Sequence, residues 1–132
     1  MIKLESVYDN EDHFEILYNL LLEREPDQSI SHKAIPTAHS HIEFVDSEPY
    51  LAWYFIQDSD CSVGSIYLTH KREIGIAVFK QYRSKGYGRK AMELLLLAHP
   101  GKFLANINPK NEGSIRFFEG FGAKHVQNTY EL

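Results

Sequence analysis

The chain has 132 residues, 43% hydrophobic and 24% charged, with a formal net charge of -4, which suits one compact domain and leaves no room for a second. This acidic balance excludes a general nucleic-acid binder, whose footprint is a basic domain, and the longest strongly apolar run, Leu94 to Ala98, is far too short to span a membrane. The single cysteine, Cys61, excludes an intrachain disulfide and, with no signal-peptide pattern at the N-terminus, points to a cytoplasmic protein.

Ile2, Leu4 and Val7 alternate with polar residues and predict a first strand. Phe14, Leu17, Tyr18, Leu21 and Leu22 recur at helical spacing, so residues 12–25 read as an amphipathic helix stopped by Pro26. A polar loop follows, and Thr37 is placed to cap a short helix through Val45 that packs Ile42 and Val45. From Tyr50 the pattern turns to strands: "YLAWYFIQD", "SVGSIYLTH" and "EIGIAVF", joined by short turns as an antiparallel meander. A helix over 86–99 puts Met92, Leu95 and Leu96 on one face, and Pro100 with Gly101 ends it. "KFLANINP" reads as a strand, Asn111 opens a helix carrying Ile115, Phe118 and Phe121, and "KHVQNTYEL" reads as a closing strand. The sum is a single mixed α/β domain over 1–132 with about four helices.

Lys80, Arg83, Lys85, Arg89 and Lys90 crowd one short stretch with no acidic residue, around Gly86 and Gly88 and just before a helix. Glycines let a ligand reach the backbone, and the free amides of a helix start suit phosphate oxygens, so a pyrophosphate is a natural guest. A solvated helix start with incidental lysines stays open beside it. "GYGRKA" also fits the glycine string of dinucleotide-binding folds, but the preceding strands read as antiparallel and no acid follows to hold a ribose.

"YRSKGYG" is similar to the Arg/Gln-x-x-Gly-x-Gly/Ala signature of the GNAT N-acetyltransferases, carried here by Arg83, Gly86 and Gly88. "EIGIAVF" resembles the family's central strand and "NPKNEGSIRFFEGFGAK" its Asn-x-x-Ser helix, in the family's order. The resemblance implies a mostly antiparallel mixed sheet whose central strand pair splays, with acetyl-CoA as donor cosubstrate and no metal. It implies that Val78 pairs its backbone with the pantetheine, that Arg83, Ser84, Lys85, Gly86, Tyr87, Gly88 and Arg89 hold the pyrophosphate, and that Asn111, Ser114 and Phe118 flank the arm and thioester.

Many family members carry a tyrosine seven residues after the motif asparagine to protonate the leaving thiolate; here that position is Phe118. Ser114 is the first substitute, against its reading as an ordinary helix-start serine, and Tyr130 the second, against a packed strand tyrosine. Glu73 lies near the position of a catalytic glutamate in some branches, one residue closer to the loop, and otherwise reads as a strand-end charge paired with Lys71 or Arg72. Asn106 and Asn108 share a strand face and suit a water relay. His39 and His41 point to nearly opposite helix faces, so with His32 they make no metal set; His32 stays a candidate for touching substrate, as does Trp53, whose other reading is core. The expected activity is acetyl transfer from acetyl-CoA to a primary amine of a small molecule, such as an amino sugar, free or nucleotide-linked. A peptide N-terminus as acceptor, or a CoA-binding module without turnover, stay open. The expected partner is that small molecule, with no nucleic acid and no membrane, in a monomer or homodimer.

Overall fold

The computed structural model describes residues 1–24, 35–130 and 132. Its elements are β1 (Ile2–Ser6), α1 (His13–Leu22), α2 (Ala38–Asp46), β2 (Ala52–Asp58), β3 (Cys61–Leu68), β4 (Glu73–Val78), α3 (Tyr87–Ala98), β5 (Leu104–Ala105) and α4 (Glu112–Glu119). The five strands form one sheet in chain order. All pairs are antiparallel except β4 with β5, which run parallel.

Each face of the sheet buries its own core. Ile56, Ile66, Leu68 and Ile74 meet Ala91, Met92 and Leu95 of α3 and Phe118 of α4 on one side. On the other, Val7, Trp53 and Phe55 meet Leu17 and Leu20 of α1 and Val45 of α2. Each fully buried side chain of this size contributes roughly 1.5–3 kcal/mol, so the period-2 strands and 3.6-period helices are held in register by what they hide. Thr37 caps α2 as its sequence predicts, accepting from the Ser40 amide at 3.2 Å.

Four expectations need correction. In α2 the buried partner of Val45 is His41, one turn back, while Ile42 is 40% exposed. In α3 it is Ala91, not Leu96, that joins Met92 and Leu95, because the helix meets the sheet through the row 91, 92, 95. The strand expected over 102–109 shrinks to Leu104–Ala105, since β5 pairs only with Glu73 and Ile74 before the two strands part. The closing strand over 124–132 is absent: its described residues are exposed and outside regular structure, because no sheet edge meets them.

No helix among the described residues is long and apolar enough to cross a membrane.

Candidate active site

The site begins where β4 and β5 separate. Thr69 donates its amide to the Glu73 carbonyl at 2.8 Å, and Phe79 donates to Val63 at 2.9 Å. Odd residues of β4 therefore bond to β3, and the amides and carbonyls of Ile74, Ile76 and Val78 face β5. Ile74 is the last of these opposite a β5 residue. Beyond it, Ile76 and Val78 present backbone groups to a widening gap, an unpaired strand edge inside the protein. The Val78 carbonyl is partly engaged, accepting from Arg83 Nε at 3.0 Å, so Arg83 ties the following loop back to the strand as well as lending charge.

That loop starts α3. Ser84 takes a φ of 63° and Gly86, the residue before the helix, 85°. At Gly86 the left-handed backbone turns the chain into the helix with no side-chain cap, and a Cβ there would meet open space. The amides from Ser84 to Arg89 have no intramolecular partner among the described residues, and the positive end of the α3 dipole lies behind them. Lys85 is exposed, Arg89 lies over the Phe121 ring at 5.0 Å, and Lys90 leans toward Glu93 at 3.8 Å. Tyr87 donates its hydroxyl to Asp58 at 2.6 Å, locking the first turn of α3 to the end of β2. That bond holds the Asp58 carboxyl below its ordinary range. A Cβ on Gly88 would stand 3.2 Å from Phe117 Cε1, which places α4 against the loop. A bare, donor-rich backbone ringed by cations fits a diphosphate.

Glu73 stands at the base of the gap. Asn106 donates Nδ2 to Glu73 Oε2 across the parting strands, and Thr69 Oγ1 donates to Oε1 at 3.3 Å. The Glu73 amide in turn donates to Thr69 Oγ1 at 3.0 Å. Arg72 does not pair with Glu73. Its guanidinium donates to the carbonyls of His99 and Pro100 at 3.0 Å each and covers Phe103, closing the end of α3.

Beside Glu73 on the same face, Tyr67 sits opposite Gly75. Its ring lies across β4: a Cβ on Gly75 would be 2.0 Å from Tyr67 Cζ, so only glycine admits it. Tyr50 stacks on Tyr67 at 4.0 Å, and Trp53 meets both edge-on. Burial pushes both tyrosine hydroxyls above their ordinary range; the bond from Tyr50 partly offsets this for Tyr67, and Glu73 adds to it. A cavity of about 300 Å³, lined by Tyr8, Glu48, Tyr50, Trp53, Tyr54 and His99 among others, opens beside this stack. Ala52 pairs with Leu68, and Leu68 with Ile74, so the cavity is at the Glu73 end of the sheet, about two strand spacings, roughly 10 Å, away. A larger one of about 470 Å³ lies at the opposite end, between α1 and the turn of Lys80–Tyr82, away from the carboxylate.

The remaining candidates divide. Asn111 caps α4, its Oδ1 accepting from the Ser114 amide at 3.1 Å, which leaves its NH2 to donate. Ser114 Oγ makes no hydrogen bond among the described residues and is half-buried. Phe118 is buried in the core at 8% exposure, and Phe117 is the ring that faces the loop. Trp53 is buried, with Nε1 unpaired among the described residues. Asn108 closes the turn before α4, accepting from the Lys110 amide at 2.9 Å. Tyr130 is 83% exposed on the tail and packs into no strand. His32 lies outside the described residues. Thr69, Tyr67 and Phe117 were missed in the sequence; the glycine at 75 opposite an aromatic position was the one usable signal.

An open α/β sheet, split between two parallel strands with a glycine-bearing cationic loop leading into a helix, is the architecture of an acyl-group transferase that uses a nucleotide-bearing carrier. The chain belongs to the acetyltransferase (GNAT) family, whose profile matches residues 14–123. No curated protein matches it. Among solved structures it superposes on a domain from Methanocaldococcus jannaschii DSM 2661 with a TM-score of 0.80 at 20% identity, covering 99% of this chain and 93% of that one. Salmonella typhimurium yncA, solved with its cofactor acetyl-CoA, gives 0.65 at 18% identity over 92% and 78%. AAC(6')-Iy, solved with the bisubstrate analog CoA-S-monomethyl-acetylneamine, gives 0.67 at 14% identity over 100% and 95%. At these identities the likeness concerns the fold.

Proposed function

We propose that this protein transfers acetyl from acetyl-CoA to a primary amine of a small molecule of the amino-sugar class. The observation that carries the reading is the Glu73 carboxylate, held by Asn106 and Thr69 at the point where β4 and β5 part. Acetyl-CoA supplies an acetyl group activated as a thioester. The free amides from Ser84 to Arg89, with Arg83, Lys85 and Arg89, hold its diphosphate, and Ile76 and Val78 offer strand-like hydrogen bonds to its extended arm. The Asn111 NH2 and the Ser114 hydroxyl face that arm from α4.

Glu73 takes the proton that the acceptor amine must lose, directly or through one water, and two donors on its oxygens keep the carboxylate aimed. Nitrogen then forms the new bond to the acetyl carbon as the bond to sulfur breaks, and the Ser114 hydroxyl donates a hydrogen bond to the departing thiolate, which then takes a proton from solvent. Holding both reactants in line is worth roughly 7–11 kcal/mol of barrier, so modest acid and base groups suffice.

The aromatic cavity at the Glu73 end of the sheet, lined in part by Glu48, supports a ring-shaped, amine-bearing acceptor that extends toward Glu73. The structural neighbour solved with an acetylneamine analog supports the same class. Incubating the protein with acetyl-CoA and parallel panels of free amino sugars, nucleotide-linked amino sugars and peptides tests this. Acetylation within either sugar panel is expected; acetylation of peptides alone overturns the acceptor class, and thermal stabilisation by acetyl-CoA with no amine acetylated overturns the enzyme reading.

A further inference from the structure

Glu73 is not the only polar group on its face of β4. Alternate residues of a strand share a face, so Glu73 and Gly75 lie on the same side of β4, their Cα atoms roughly 7 Å apart. Gly75 has no side chain, and Tyr67 from β3 takes up that space. Its phenol end lies so close over β4 that a Cβ on Gly75 would stand 2.0 Å from Tyr67 Cζ and 2.3 Å from the hydroxyl oxygen. The ring thus carries a hydroxyl from β3 across to the strand that borders the gap.

That ring is fixed in place. Tyr50 stacks on it at 4.0 Å with the planes 4° apart, and Trp53 meets it edge-on. Glu73 and Arg24 are near enough for their charges to act on the hydroxyl. A phenol oxygen has two lone pairs, so one stays available beside the bond from Tyr50. Glu73 keeps capacity as well, since Asn106 and Thr69 each engage one carboxylate oxygen and leave it a second lone pair. Ala77, the next residue on this face of β4, is exposed, which leaves the face open to an incoming molecule.

We propose that Tyr67 touches the acceptor: its hydroxyl oxygen accepts one N–H of the attacking amine while Glu73 accepts the other, which points the nitrogen lone pair at the acetyl carbon. The inference rests on the acetyl-transfer reading above. Two hydrogen bonds of about 2.9 Å each, meeting at one nitrogen, bridge most of the spacing between the two groups. A neutral primary amine has two N–H bonds and one lone pair, so holding both hydrogens fixes the direction of attack. Nitrogen bonds to the acetyl carbon, the carbon–sulfur electron pair leaves with sulfur, and the hydrogen on Glu73 passes to the carboxylate as a proton. The hydrogen on Tyr67 stays with the product amide. A secondary amine brings one N–H, which Glu73 must receive, and nothing is left for Tyr67. The pair therefore selects primary amines by counting hydrogens.

Tyr67→Phe removes the oxygen and keeps the ring, its stack and its fit over Gly75. Glucosamine, or any panel amine acetylated faster, is compared with its N-methyl counterpart in both proteins. Wild-type protein is expected to prefer the primary amine by about tenfold or more. Tyr67→Phe should lower kcat for the primary amine about ten- to a hundredfold, change the N-methyl amine by less than about threefold and leave KM for acetyl-CoA in place. A variant that slows both amines alike makes Tyr67 structural only and overturns the proposal. So does a variant that slows neither, or a wild type that acetylates the N-methyl amine as fast as the primary one; each of these leaves the enzyme reading standing. Wild-type protein that acetylates no amine overturns the enzyme reading and this inference with it. For a variant that acetyl-CoA no longer stabilises thermally, the wild-type preference decides.

Discussion

The two halves of the chain have opposite electrical character. Residues 1–58 hold twelve acidic and three basic side chains, residues 59–132 six and eleven. The second half supplies β4, α3 and α4, and its positive charge gathers at one helix start. The first half supplies α1, α2 and β2 and builds the aromatic cavity with Glu48 and Tyr8. The end of β4 beyond Val78 leads into bare backbone and cations, and the sheet end that holds Glu73 carries the rings and Glu48. An anionic donor and a cationic acceptor would thus be drawn toward opposite ends of the same strand.

The sharpest way to break this comparison is at the carboxylate where β4 and β5 part. Glu73→Gln should lower kcat by about 10²–10⁴ with little change in acetyl-CoA affinity; an unaltered kcat would remove Glu73 as the base. Next comes the donor side. Arg83→Glu and Arg89→Glu should each weaken acetyl-CoA binding by about ten- to a hundredfold, from roughly 1.5–3 kcal/mol per charge-assisted bond, with the Arg83 variant also loosening the loop from Val78. Calorimetry showing native affinity in both variants would show that the anion lies elsewhere.

A smaller effect probes the acceptor side. Gly75→Ala drives a methyl into the Tyr67 ring and should cost about 1–3 kcal/mol, raising KM for the amine while KM for acetyl-CoA holds. In Tyr67→Ala that penalty should vanish, and persistence of it in a double-mutant cycle would place the strain elsewhere. The smallest effect is a pH dependence of stability. Burial of His41 lowers its pKa below the ordinary value, so the unfolded chain takes up a proton first as pH falls. Stability should be full above about pH 6.5 and decline below it toward the depressed folded value. His41→Phe should flatten that decline in thermal melts.

Much of the donor side was legible. Gly86, Gly88 and the surrounding cations lie within a few residues of each other, and the helix start that organises them is a local event. Asn111 capping α4 is likewise a short-range bond. Glu73 and Asn106 were each visible as polar residues near strand ends, but their meeting depends on where β5 leaves β4. The acceptor side was much less readable. Tyr67 and Tyr50 belong to different strands, and Ile42 looked as apolar as any core residue until α1 chose His41 instead. The tail reads as a strand because its composition is one, yet a strand exists only where an edge accepts it.

Sequence alone determined most of the alternation of helices and strands, the glycine-bearing cationic loop and the family, because each is written in residues close together along the chain. The tertiary structure decided which carboxylate stands at the split, which rings wall the cavity at that end of the sheet and which edge stays open. Those features are contacts between distant segments, and their energies depend on how the sheet and helices pack.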